Sequence, residues 1–169
     1  LVMAGAEALV LPINKGQTLI VNKGSNENLI WRSYYENKVW FHAEINPETF
    51  KVLNTTDHKK AEYITTLLNA ADRLTDNSPE LKNKIINTEL DFHPDWGMGS
   101  SSTLIVNISR LFDISAFNLH NVVSKGSGFD VAAGLSGFPF RYKLKKKTRD
   151  ISPVVLPELF YKYTFFVYL

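Results

Sequence analysis

The chain has 169 residues, 44% of them apolar and 21% charged, which is the composition of one ordinary globular domain burying roughly two-thirds of its unfolded surface. A net charge of +2 is too small to make nucleic acid an obligatory partner, and none is expected. Cysteine is absent, so disulfides, zinc–thiolate sites and cysteine nucleophiles are excluded from this chain, and a cytoplasmic location is the expectation.

The opening run LVMAGAEALVLPI is apolar but lacks a basic start and is interrupted by Glu7, so neither a signal peptide nor a membrane span is expected. The chain starts at Leu1 in apolar sequence and stops inside the strand-like run TFFVYL, so it is expected to be a piece of a longer protein. Residues 17–21, 28–35 and 39–45 are rich in β-branched and aromatic side chains. The last two, separated by the polar break Glu36-Asn37-Lys38, read as a hairpin. Between Asp57 and Asp76 the apolar positions Ala61, Ile64, Leu67, Leu68, Ala71 and Leu74 form one helical stripe, ended by Asn77-Ser78-Pro79.

Ile86, Thr88, Leu90 and Phe92 alternate as on a strand with one buried face. The loop His93-Pro94-Asp95-Trp96-Gly97-Met98-Gly99 follows, and then Leu104, Ile105, Ile108, Leu111 and Phe112 recur at helical spacing. Residues 138–144 and 164–169 read as further strands, joined through a connection marked by Pro153 and Pro157. Hairpins mixed with helices argue for an α+β fold, its helices packed on one face of a mostly antiparallel sheet.

The segment HPDWGMGSSSTL carries the clearest chemistry. Gly97 and Gly99 let backbone N–H groups approach a ligand with no Cβ in the way, and Ser100, Ser101 and Ser102 stand where a helix begins. The first turn of a helix has unpaired N–H groups and partial positive charge, so the segment suits a phosphate. A glycine turn followed by a serine N-cap gives the same residues without a ligand. No Gly-Lys-Ser/Thr is present, so this is not the common P-loop.

A second segment, KGSGFDVAAG, carries Asp130 after Gly126, Ser127 and Gly128. An aspartate in such a turn can accept a proton or face a metal ion, or it can cap the helix that starts at Val131-Ala132-Ala133.

The first segment resembles the P-x-x-x-G-L-G-S-S-A motif of the GHMP kinases, the family of galactokinase, homoserine kinase, mevalonate kinase and phosphomevalonate kinase. Here it reads from Pro94 to Ser102, with one residue fewer between Pro94 and Gly97, Met98 for Leu and Ser102 for Ala. The second segment resembles that of phosphomevalonate kinases. The bacterial GYDIA subgroup is closer still. Its W-G-L-G-S-S-S-T-L looks like the run from Trp96 to Leu104, and its G-A-x-A-L-x-L-P looks like Gly5 to Pro12.

The resemblance implies a ribosomal protein S5 domain 2-like fold over residues 1–169, the N-terminal ATP-binding domain of such a kinase. The first strand and the C-terminal domain of the family are not on this chain, which alone is expected to be inactive. The implied reaction transfers the γ-phosphoryl group of ATP to a small-molecule acceptor, with Mg²⁺ bridging the phosphates. Gly97, Met98, Gly99, Ser100, Ser101 and Ser102 would hold the phosphates, Ser101 would touch Mg²⁺, and Asp130 would orient or deprotonate the acceptor. The likeness to phosphomevalonate kinases points to an acceptor of the mevalonate pathway.

One departure bears on the metal. Several relatives carry a magnesium-ligating glutamate between the two motifs, whereas no carboxylate lies between Asp113 and Asp130 here, and Asn118 stands near that place. A neutral amide is a weaker magnesium ligand, so a catalytically inactive, nucleotide-binding regulatory homologue is the other expectation.

Of the four histidines only His93 adjoins the serine loop, and ordinary roles are expected for all of them. The basic run Arg141, Lys143, Lys145, Lys146, Lys147 and Arg149 reads as a solvated strand end and hairpin tip. Trp96 stands where it could stack on adenine or equally seal the core beneath the loop.

Overall fold

In chain order the strands are β1 (Ala8–Val10), β2 (Gln17–Lys23), β3 (Leu29–Tyr35), β4 (Lys38–Ile45), β5 (Val52–Thr55), β6 (Lys84–Leu90), β7 (Phe140–Lys145) and β8 (Thr148–Pro153). The helices are α1 (His58–Asp72), α2 (Ser100–Leu111), α3 (Ala116–Val123), α4 (Phe129–Leu135) and α5 (Glu158–Tyr163). These elements come from a computed structural model that describes residues 1–146, 148–165 and 167.

The larger sheet has the order β2-β6-β3-β4-β5. Its β3–β6 pair is parallel and its other pairs are antiparallel, so the sheet is mixed. Between β3 and β4 the chain turns through Glu36 (φ 49°) and Asn37 (φ 60°), two consecutive left-handed residues whose twist matches that of a hairpin. The hairpin read from the polar break is therefore present.

Helix α1 starts on Asp57, whose carboxylate accepts from the Lys60 N–H at 3.1 Å. Its predicted stripe turns inward at Ala61, Ile64, Leu67, Leu68 and Ala71. These meet Trp31, Phe41, Ala43 and Ile45 of the sheet and Leu104, Ile105, Ile108 and Phe112 of α2 and its end in one core. Each of the larger side chains so buried stabilises the fold by about 1.5–3 kcal/mol.

The second sheet, β1-β7-β8, is antiparallel and covers a small core of Val10, Ala132, Phe140 and Tyr142. Helix α4 links the two cores, with Val131 in the first and Ala132 in the second.

Two sequence expectations change. The strand over 138–144 is β7, but it pairs with β8, which starts at Thr148 and takes Arg149 from the basic run, with Lys146 (φ 55°) at the hairpin tip. The strand expected over 164–169 is not formed at Thr164, Phe165 or Val167, while Phe166, Tyr168 and Leu169 lie outside the described residues. The aromatic run Phe160, Tyr161 and Tyr163, which also suits a strand, instead belongs to or adjoins the short exposed helix α5. Among the described residues no helix is long and apolar enough to cross a membrane.

Candidate functional site

Helix α2 begins after Gly99, whose φ of 81° is left-handed and natural only for glycine. The Gly99 carbonyl accepts from the N–H groups of Ser102 and Thr103, both at 3.0 Å. Among the described residues the N–H groups of Gly97, Met98, Gly99, Ser100 and Ser101 have no acceptor. A Cβ placed on Gly97 or Gly99 would meet nothing within 4 Å, so the loop faces open space. The helix end is anchored to β2: Thr103 Oγ1 donates to Gln17 Oε1 at 3.1 Å, and Asn107 Nδ2 donates to the Gln17 carbonyl at 2.8 Å.

Helix α4 begins in the same way after Gly128, also at φ 81°. Asp130 lies in its first turn and is not its cap. Asp130 is exposed to the cavities, and the protein packed around its base raises its carboxyl pKa above the ordinary value, against the opposite pull of His120.

The two helix starts converge. A cavity of about 640 Å³ is lined by Ser101, Ser102, His120, Asp130 and the backbone from Gly126 to Phe129. A second, of about 520 Å³, is lined by Gly97, Met98, Gly99, Arg110 and again Asp130. Ser100 and Ser101 also border a third, of about 300 Å³, walled by Trp40, Phe41, Lys59, Lys60 and Tyr63. All seven residues expected at the site from sequence thus line adjoining cavities, and Asp130 borders two of them.

Three further wall residues escaped sequence reasoning. Trp40 is half-buried, and among the described residues its buried indole Nε1 has no acceptor. Tyr63 stands beside Ser101, and burial raises its phenol pKa. His120 is buried, its Nδ1 has no partner among the described residues, and burial lowers its pKa, so the imidazole is neutral near pH 7.

The structure also places the other residues weighed near the loop. His93 packs edge-on against Tyr35 at 5.3 Å and beside Trp96 at 6.2 Å, and its Nδ1 accepts from the Asp95 N–H, so it braces the loop. Trp96 is half-buried and lines a separate groove with Lys15, Tyr35 and Asp91. Asn118 is exposed on α3, its N–H donating to the Ser115 cap at 3.4 Å, and the α3 residues that line the cavity are His120 and Val123.

No protein-family model and no curated protein sequence matches the chain. A solved structure does: that of L. major mevalonate kinase in complex with R-mevalonate, at TM-score 0.61 and 20% identity, over 93% of this chain and 48% of that one. The chain therefore spans about half the length of that kinase. The mixed α+β architecture described here is similar to the fold of a mevalonate kinase, which is a GHMP kinase.

Proposed function

We propose that this chain is the ATP-binding N-terminal domain, ribosomal protein S5 domain 2-like, of a GHMP-type kinase that phosphorylates a small acceptor of the mevalonate or phosphomevalonate kind. The observation that carries this reading is the convergence of two motifs far apart in sequence. The free amides at the start of α2 and the carboxylate in the first turn of α4 border adjoining cavities.

In this reading the amides from Gly97 to Ser101 and the positive end of α2 hold the triphosphate. The cavity walled by Trp40, Phe41 and Tyr63 seats the base. Asp130 stands across from the serines and orients or deprotonates the acceptor hydroxyl, a task its raised pKa suits.

Ser101 and Asp130 offer hard oxygen donors on one cavity, which fits Mg²⁺, an ion that keeps most of its waters and binds phosphate oxygens. When bound, Mg²⁺ supplies neutralisation of charge building on the transferred phosphoryl group. A second reading, a nucleotide-binding protein without turnover, is favoured by α3, which turns a neutral histidine and no carboxylate toward the cavity.

The test incubates the full-length protein with ATP, Mg²⁺ and a panel of mevalonate, phosphomevalonate, homoserine and galactose, following ADP release. Turnover with a mevalonate-type acceptor supports the first reading. ATP binding without turnover on any acceptor leaves the second, and no ATP binding removes both.

A further inference from the structure

The loop that launches α4 is held from behind by the second sheet. The Ser127 carbonyl accepts from two side chains: the hydroxyl of Tyr142 on β7, and Nε of Arg149 on β8 at 3.3 Å. Tyr142 is fully buried in the small core, and Ser127 is itself buried. The same guanidinium donates through Nη2 to Asn121 Oδ1 at 2.6 Å and lies 4.5 Å over the Phe117 ring, so it also grips α3.

Gly128 is fitted against this group. A Cβ there would come within 3.2 Å of Arg149 Nε and 3.4 Å of His120 Cε1. The basic run is thus divided in role. Lys145 pairs with Asp150 at 2.7 Å and Arg141 with Glu7 at 3.9 Å on the surface, whereas Arg149 turns inward.

We propose that Arg149, supported by Tyr142, is a positioning residue for Asp130, an inference that rests on the reading of Asp130 given above. A peptide unit is planar, so two donors on the Ser127 oxygen fix the rotation of the Ser127–Gly128 peptide. That peptide sets the direction of the first turn of α4, where Asp130 stands. Arg149 acts only through this backbone. A planar guanidinium can donate in two fixed directions and stack on a ring at once, which an ammonium cannot do.

The test is Arg149→Lys, Tyr142→Phe and the double variant in the full-length protein. It measures kcat, KM for ATP, melting temperature and amide hydrogen exchange over residues 126–130. Arg149→Lys is expected to lower kcat by about 10- to 100-fold with KM for ATP nearly unchanged, since a small misplacement of a catalytic group has that scale of effect. Exchange over 126–130 is expected to quicken, and Tyr142→Phe to act in the same direction but less. The two substitutions should be non-additive, because they share one carbonyl.

Wild-type kcat and exchange in Arg149→Lys would overturn the proposal, because charge alone would then suffice. So would a loss of kcat that only tracks the folded fraction. If the wild-type protein turns over no acceptor, the kinase reading fails. Exchange then still decides the clamp, with unchanged protection in Arg149→Lys overturning it.

Discussion

Helices α2 and α4 start alike and are surrounded differently. Each follows a glycine at φ 81°, Gly99 in one case and Gly128 in the other. Around Gly99 there is open space, and the adjoining amides have no acceptor. Around Gly128 the protein fills the space with Arg149 and His120. The first loop has the form of a seat for something the chain does not supply. The second has the form of a mount, made rigid so that one side chain beyond it is presented in a fixed direction. Under the proposed function these are the two tasks of phosphoryl transfer, holding a phosphate and aiming a carboxylate.

The largest effect is expected at the mounted carboxylate. Asp130→Asn keeps the shape and removes the base, so kcat should fall on the order of 10²- to 10⁴-fold, with ATP affinity little changed. Because the Asp130 pKa is raised in the fold, its ionised form weighs against folding at neutral pH. That group's contribution to stability is present at low pH and lost as pH rises through the folded-state pKa. The Asn variant should therefore melt no lower than wild type at pH 7, and the acid limb of kcat/KM, lying above the ordinary aspartate range, should vanish. Retained kcat would make Asp130 part of the mount rather than what the mount carries.

The glycines test the comparison directly. Gly128→Ala meets both a left-handed backbone and contacts near 3.2 Å, so it should destabilise the fold by about 2–3 kcal/mol. Gly99→Ala meets only the backbone penalty, about 1–2 kcal/mol, but should raise KM for ATP by crowding the free amides. Thermal unfolding and ATP titration of the two variants check this pair. Equal melting shifts would mean that the two loops are not held differently.

The parts legible from sequence were those whose determinants are local. The β3–β4 turn follows from Glu36-Asn37-Lys38, α1 from a stripe spaced at one helical face, and the serine loop from Gly97 to Ser102. Helix α3 has eight residues, too few for periodicity to show, while α4, with seven, was read only as a helix that Asp130 could cap. Strand β8 is mostly exposed and carries Arg149 and Asp150, so no apolar alternation marks it. The walls contributed by Trp40, Tyr63 and His120 come from β4, α1 and α3, and only their convergence in space identifies them. Arg149 lay inside a charge run whose surface role holds for Arg141 and Lys145 and fails for Arg149.

The smallest effect is expected at Asn118, and it separates spacing from geometry. Spacing put this amide near the carboxylate that relatives use for magnesium, and on that ground Asn118→Glu would strengthen metal binding. The helix begins at Ala116, capped by Ser115, and buries Ala116, Leu119 and His120. Asn118 therefore falls on the exposed side, whereas His120 and Val123 of the same helix line the cavity. A carboxylate added there is in solvent, where screening reduces its pull on an ion beyond about a Debye length of 8–10 Å. The Mg²⁺ titration of activity in Asn118→Glu should thus overlay that of wild type, with melting temperature moved only slightly, since an exposed substitution on a helix surface is worth within about 0.5 kcal/mol. A tightened titration would mean that α3 rotates to bring position 118 to the cavity when nucleotide binds. The mount behind Gly128, which grips α3 through Phe117 and Asn121, would then have to release it.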